Sequence, residues 1–188
     1  MDYDTEFWNK YTDENKSNYN EEFAKFIRDL AVSLRTTSVL DVGCNVGNDL
    51  REFPENFEVY GVDLNEYALD FARKKLPTFK FKNGSITDLP FGDSSIDFVF
   101  THNVINYIPE QEMNKAIQEL YRVSKKYILN CELFDENENI TSDTSVVSCK
   151  RNVHKRWLNF KVKIISNVDM HEDIEPKKPR FTLVRKIP

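Results

Sequence analysis

The sequence predicts an α/β fold: a doubly wound mixed sheet, mostly parallel, with helices on both faces and an antiparallel hairpin at its C-terminal end. Three observations predict it. Val39-Leu-Asp-Val-Gly-Cys-Asn-Val-Gly47 is an apolar, β-branched run that ends in an acid and a glycine-bearing turn. Val59-Tyr-Gly-Val-Asp63 repeats the apolar run and closes on a second acid, 22 residues after the first. Ile96-Asp-Phe-Val-Phe-Thr101 is the near-continuous apolar run that a parallel strand buried on both faces requires.

The first 17 residues are polar and aromatic, with Phe7, Trp8 and Tyr11 but no clear period. From Asn18 the pattern changes. Phe23, Phe26, Ile27, Leu30 and Leu34 share one helical face, and Asn18 or Asn20 is available as a cap. Strand one is expected at about 38–42, followed by a helix from about 46 that Pro54 stops. Strand two follows at 58–63, then a helix from Glu66 to Lys75 closed by Pro77, then strand three at 78–83 ending in the Asn83-Gly84 turn. Leu89 to Asp93 reads as loop and strand four as 96–101. Pro109 opens a helix from Glu110 to Val123 whose stripe is Met113, Ile117, Leu120 and Tyr121. Strand five is expected at 127–133. Residues 134–157 have no period. Phe160–Val168 and Arg180–Lys186 then read as a terminal hairpin.

At 188 residues with 40% hydrophobic content, the chain can bury one substantial core, so a single domain is expected. Within it we expect an N-terminal helical cap (1–35), a ligand-binding core (36–133), and a variable loop with the C-terminal hairpin (134–188). No apolar run approaches membrane-spanning length, and the N-terminus has neither the basic nor the apolar segment of a secretion signal. The expectation is a cytoplasmic protein with no membrane partner. Cys44, Cys131 and Cys149 lie far apart, with no second Cys or His at metal-ligand spacing, and are read as reduced thiols. No metal is expected.

The turn after strand one identifies its ligand by what it lacks. A dinucleotide fingerprint beginning at Gly43 needs glycines where Asn45 and Asn48 stand. A phosphate loop needs a cation, yet no Lys or Arg lies between Arg35 and Arg51. Acids at both strand ends suit a positively charged ligand with free hydroxyls. S-adenosylmethionine has a sulfonium, an ammonium and a ribose diol, and Asp63 would accept hydrogen bonds from that diol.

Asp41-x-Gly43-x-Asn45-x-Gly47 resembles motif I of the class I S-adenosylmethionine-dependent methyltransferases, with Asp63 at the position of that family's ribose acid. Gly84-Ser-Ile-Thr-Asp-Leu-Pro-Phe91 and Ser95-Ile-Asp-Phe-Val-Phe-Thr101 extend the resemblance over roughly residues 38–133. The segments Thr101-His-Asn-Val-Ile-Asn-Tyr-Ile108 and Glu119-Leu-Tyr-Arg-Val-Ser-Lys-Lys-Tyr-Ile-Leu129 are also similar to methylases associated with the biosynthesis of pseudaminic acid and related sugars. The resemblance implies a Rossmann-like sheet. It also implies that Ser85 and Ile86 meet the adenine edge and that Tyr11 reaches over the cofactor. Glu14-Asn15 stands where the sugar-pathway methylases carry Arg-Asn.

The remaining site residues follow from position. Asp41 is expected to orient the glycine turn through backbone amides, or the cofactor's amine through water. Gly43, Cys44 and Gly47 give close backbone approach, and Asn45 tolerates a left-handed backbone. Leu64 would pack on the adenine. Thr101, His102 and Asn103 leave the carboxyl end of strand four, where open α/β sheets place ligands. His102 is the candidate base, and a structural histidine lining the pocket is the competing reading. Asn103, Asn106 and Tyr107 are candidates for the acceptor pocket.

Charge is uneven along the chain. Residues 150–188 hold 11 basic and 4 acidic side chains, and the rest hold 15 and 27. If Lys150, Arg151, Lys155 and Arg156 flank the pocket mouth, they would attract an anionic small molecule such as a sugar acid. A solvated outer face of a hairpin is the plainer reading. The leading expectation is methyl transfer to an oxygen or nitrogen of a small molecule, a sugar or sugar-like acid. A nucleic-acid or protein methyltransferase is the alternative. Against base methylation, no Asn/Asp-Pro-Pro-aromatic run follows strand four and no Pro-Cys nucleophile exists. A non-catalytic cofactor-binding subunit is the third reading, and the sequence leaves the oligomeric state open.

Overall fold

The computed structural model describes residues 5–138 and 148–187. Five strands run parallel: β1 (Ser38–Val42), β2 (Glu58–Asp63), β3 (Lys80–Asn83), β4 (Ile96–His102) and β5 (Ser124–Glu132). The terminal hairpin adds β6 (Val162–Asp169) and β7 (Arg180–Lys186). β7 pairs antiparallel with β5, and β6 with β7, so the order is β3-β2-β1-β4-β5-β7-β6. The chain winds one way from β1 to β3 and the other way from β4 to β5. This reversal leaves a crevice at the carboxyl ends of β1 and β4, the usual ligand position in such sheets.

Both faces of the central strands β1 and β4 are buried, as the apolar runs require. On one face Val39 of β1 and Phe98 and Phe100 of β4 pack against Phe23, Ile27 and Ala31 of α2 (Glu21–Ser33). On the other, Leu40, Val42 and Val99 pack against Met113, Ile117 and Leu120 of α4 (Glu110–Val123). Alternate residues of one strand thus serve opposite cores. The side chain of Asn20 caps α2 by accepting from the Phe23 amide at 3.1 Å. Asn65 caps α3 (Glu66–Lys75) in the same way, through the Tyr67 amide.

The structure refines the sequence reading, or departs from it, in three places. The aperiodic N-terminus is a helix, α1 (Thr5–Asn15), whose Phe7, Trp8 and Tyr11 stack on one another and not on the sheet core. The helix expected from residue 46 is only a 3₁₀ turn, Asn48–Leu50, because the left-handed Gly47 (φ 74°) and Pro54 leave too few residues between them to nucleate one. A short helix, α5 (Val153–Trp157), rises from the unreadable segment. Asn152 caps it, and Val153 and Trp157 are buried one turn apart. Residues 139–147 of that segment lie outside the described residues. Among the described residues no helix is long and apolar enough to cross a membrane.

A buried polar chain joins α5 to the sheet. Trp157 Nε1 donates to Asn130 Oδ1 at 2.8 Å, Asn130 Nδ2 donates to Thr101 Oγ1 at 2.8 Å, and Thr101 Oγ1 donates to Glu132 Oε1 at 2.7 Å. Replacing Trp157 with Phe would leave Asn130 Oδ1 without its donor in a dry core. We expect Trp157→Phe to cost about 2–3 kcal/mol in urea unfolding at unchanged m-value. A loss below about 0.5 kcal/mol would show that the chain contributes little.

Candidate functional site

A cavity of about 900 Å³ lies at the carboxyl ends of β1, β2 and β4, lined by residues that follow each strand. Small-molecule sites span about 300–1,000 Å³, so the volume admits a cofactor-sized ligand together with an acceptor.

The floor is the turn after β1. The amides of Gly43 and Cys44 both donate to Val62 O, at 2.7 and 3.0 Å. Gly43 has φ 81°, and a Cβ there would lie 2.4 Å from Val104 Cγ2, so only glycine lets the turn pass residue 104. Asn45, also left-handed at φ 46°, donates its amide to Asp63 Oδ2 at 2.7 Å. Asp63 Oδ1 accepts from the Asn65 amide at 2.8 Å. The turn is therefore held by Val62 and Asp63, and not by Asp41 as the sequence suggested. Burial pushes the Asp63 carboxyl upward in pKa, and the amides of Asn65, Asn45 and Leu64 oppose the shift without cancelling it. Asp41 is 3% exposed beneath the floor. Burial, then the nearby Asp49 and Asp63, push its carboxyl well above the ordinary aspartate range.

The side chain of Asn45 has a second task that glycine could not perform. Its Oδ1 accepts from Thr12 Oγ1 at 3.1 Å, and Thr12 accepts from Asn65 Nδ2 at 3.2 Å, which fastens α1 over the cavity. This helix contributes Trp8 and Tyr11 to the lining. Tyr107 completes an edge-to-face group with them, its ring 5.3 Å from Trp8 and 6.5 Å from Tyr11. Burial, then Tyr107, Asp49 and Asp63, push the Tyr11 phenol up to about 12, so it remains protonated near neutrality and keeps its O–H to donate.

His102 forms the far wall, its ring stacked 3.9 Å from Phe23. Its Nδ1 lies 2.8 Å from Asp49 Oδ2, and its Nε2 is buried without a hydrogen-bond partner, 3.8 Å from Glu175 Oε2. Burial pulls the imidazole pKa down, but the hydrogen bond and charge of Asp49, with Glu175 and Glu132 beyond, outweigh it and the net shift is upward. Glu175 comes from the β6–β7 connection. It is pinned by Asn20, whose Nδ2 donates to Glu175 Oε2 and to Ile174 O, both at 2.8 Å.

Of the residues singled out in the sequence, Tyr11, Gly43, Cys44, Asn45, Asp63 and Leu64 line the cavity. Ile86, His102, Asn103 and Tyr107 join them there. Asp41, Gly47, Ser85, Thr101 and Asn106 do not. Gly47 packs beside Leu76 and Phe81. The Ser85 hydroxyl is engaged with Thr87, 2.8 Å from its Oγ1 and 3.1 Å from its amide. Thr101 is fully buried and holds Glu132. Asn106, 1% exposed, clamps backbone: in the amide orientation that pairs all its atoms, its nitrogen donates to Leu133 O and Cys149 O and its oxygen accepts from the Leu133 amide. Sequence reasoning missed Asp49, Glu175 and Trp8. Asp49 stands two residues past the recognised motif. Glu175 meets Asn20 across 155 positions of chain and has no local signal.

The basic mouth expected from residues 150–156 does not form. Arg151 is 2% exposed and donates to Glu110 Oε2 and Ile108 O, both at 2.7 Å. Arg156 pairs with Glu110 at 3.0 Å and with Glu138, and Lys155 with Glu136 at 2.9 Å. Neither these residues nor Lys150 line the cavity. Its described lining instead includes the carboxylates of Glu21, Glu22, Asp49, Asp63, Asp173 and Glu175, with Lys177 as the one Lys or Arg.

Residues 39–127 match the family described as methyltransferase domain. An uncharacterized methyltransferase of Schizosaccharomyces pombe is 35% identical over 105 residues, which are 48% of this chain and 37% of that protein. The chain spans less than two-fifths of the length of this and two other curated relatives. Among solved structures, one chain of the complex between the Haloferax volcanii Trm112 methyltransferase activator and a methyltransferase superposes with a TM-score of 0.76, at 14% identity over all of both chains. An S-adenosylmethionine-dependent methyltransferase from Clostridium acetobutylicum gives 0.71 at 15% identity, over 96% of this chain and 99% of that one.

Glu132 supports the cavity from behind, and its titration is measurable. It is 1% exposed and accepts from Thr101 and from the amides of Ile105 and Val104. Burial, only partly opposed by these bonds and by His102, pushes it from the ordinary 4.5 up to about 7. A carboxyl that holds its proton more tightly when folded stabilises in acid, and that contribution is lost as pH rises from 4.5 through about 7. Across that window the wild type should lose about 3 kcal/mol relative to Glu132→Gln. Parallel pH profiles of the two proteins would contradict this account.

Proposed function

We propose that this chain, whose core is a class I S-adenosylmethionine-dependent methyltransferase domain, moves a methyl group from S-adenosylmethionine to a nitrogen or oxygen of a small molecule. The observation that carries the reading is the floor of the cavity. Asp63 closes β2 with its carboxylate in the lining, beside a turn with no cationic side chain, and acids face the space above it. Asp63 Oδ2 accepts the Asn45 amide and Oδ1 the Asn65 amide, and a carboxylate has lone pairs beyond these for a ribose hydroxyl. The acidic lining suits the cofactor's sulfonium and ammonium. Leu64 and Ile86 offer apolar contact to an adenine, and the turn amides and side chains of Gly43 to Asn45 sit where the methionine end would lie.

The cofactor supplies a methyl group on a positively charged sulfur, already activated for displacement. The protein's part is to position the acceptor in line and to exclude water. Trp8, Tyr11 and Tyr107 cover the cavity and displace water from it. His102, oriented by Asp49 at Nδ1, presents Nε2 to take a proton from an acceptor that arrives protonated. No step in this reading uses a metal. A nucleic-acid acceptor is the weaker reading, because Arg151, Lys155 and Arg156, which would meet phosphates, are engaged with Glu110, Glu136 and Glu138. A cavity this size favours a metabolite, consistent with the resemblance to sugar-pathway methylases.

Titration calorimetry with S-adenosylhomocysteine tests the reading. Wild type should bind, and Asp63→Ala should weaken binding by about 2–3 kcal/mol through loss of a charged acceptor and of the Asn45 tether. Equal affinities would remove Asp63 from the ribose, and absence of binding to wild type would sink the methyltransferase reading.

A further inference from the structure

The cavity is better built to receive a cation than an anion, and more so than the cofactor alone requires. The cofactor's own carboxylate offsets one of its two positive charges. Yet beyond Asp63 the lining continues to Asp49 and Glu175, both largely buried, their side chains 19% and 9% exposed. Glu175 is the less dispensable in its setting. It is carried in by the β6–β7 connection, fixed by Asn20 Nδ2 at 2.8 Å, and among the described residues no Lys or Arg pairs with it. His102 Nε2 lies 3.8 Å from its Oε2, too long for a hydrogen bond. Two further observations agree. Asn103 Oδ1, on a cavity-lining residue, is buried without a donor, as is His102 Nε2, so the wall offers atoms that can accept an N–H. Trp8, Tyr11 and Tyr107 group three aromatic rings at the same cavity, and ring faces attract an ammonium. The rim acids Glu21 and Glu22 are shared with Lys25 and add less.

We propose that the acceptor is an amine, that it enters as an ammonium, and that Glu175 reads its charge; the proposal rests on the methyltransferase reading above. The ammonium gives a proton to His102 Nε2. The freed nitrogen lone pair then forms the new C–N bond to the methyl carbon while the C–S bond breaks, its electron pair staying on sulfur. The product is a methylated ammonium and a neutral thioether, so the positive charge moves from sulfur to nitrogen. Glu175 and the aromatic group face the charge that develops.

The full-length protein, saturated with S-adenosylhomocysteine, is titrated with two matched pairs: benzylamine against benzoate and D-glucosamine against D-glucuronate. Each amine should bind at least about tenfold more tightly than its carboxylate partner, and Glu175→Gln should weaken amine binding by about tenfold or more while keeping S-adenosylhomocysteine affinity within about twofold. Should Glu175→Gln lose S-adenosylhomocysteine as well, Lys177→Met decides, because removing the one lysine in the described lining should strengthen amine binding. Carboxylates binding as well as amines, amines that do not bind the loaded wild type, or amine affinity unchanged in the deciding variant would each overturn the proposal. Failure of wild type to bind S-adenosylhomocysteine would instead strike the methyltransferase reading itself.

Discussion

The Asp63 carboxylate is the interaction on which the site depends. It sits at the carboxyl end of β2 and divides its oxygens between the amides of Asn45 and Asn65. One group thereby fixes the turn after β1 relative to the start of α3. Because Asn45 is so held, its side chain can reach Thr12, and through Thr12 the whole of α1 is placed above the cavity. Floor and cover are two ends of one hydrogen-bonded path. A burial cost raises the Asp63 carboxyl, which is the expected condition of an acid held ready for a polar ligand.

A second path runs across the far wall. Asp49, His102, Glu175 and Asn20 come from the turn after β1, the end of β4, the β6–β7 connection and the cap of α2. Four segments distant in sequence meet there through hydrogen bonds over the apolar cluster that Phe23 shares with Met170 and Ile174. The hairpin that closes the sheet edge is therefore also what brings Glu175 to the site. The acidic character of the cavity and the paired state of the basic residues 151–156 are two sides of one distribution. The cations of the tail neutralise Glu110, Glu136 and Glu138 on the surface, and the inner carboxylates keep their field.

Much of the fold was legible because strands buried on both faces leave unmistakable apolar runs. The Asp41-to-Gly47 turn and Asp63 were legible because close backbone approach and an acceptor at a strand end need particular residue types. Helix α1 was expected only as part of an N-terminal helical cap, without bounds of its own, because its aromatic residues pack on one another and on Tyr107, which imposes no sheet-facing period. The helix expected after Gly47 reduced to a single turn because propensity over so few residues cannot offset nucleation. Thr101 and Asn106 lie beside the cavity in sequence, but their side chains satisfy buried backbone and Glu132, a distinction only packing decides. Glu175 could not be read, since its role arises from a contact with Asn20 across almost the whole chain.

The central claim is that a cationic cofactor lies on the Asp63 floor beneath α1. A crystal structure of the full chain with S-adenosylhomocysteine tests it most directly. The account predicts the ribose hydroxyls on Asp63, the adenine between Leu64 and Ile86, and the homocysteine sulfur facing the space between Tyr11 and His102. A ligand bound elsewhere, or one in this cavity whose ribose leaves Asp63 untouched, would contradict it.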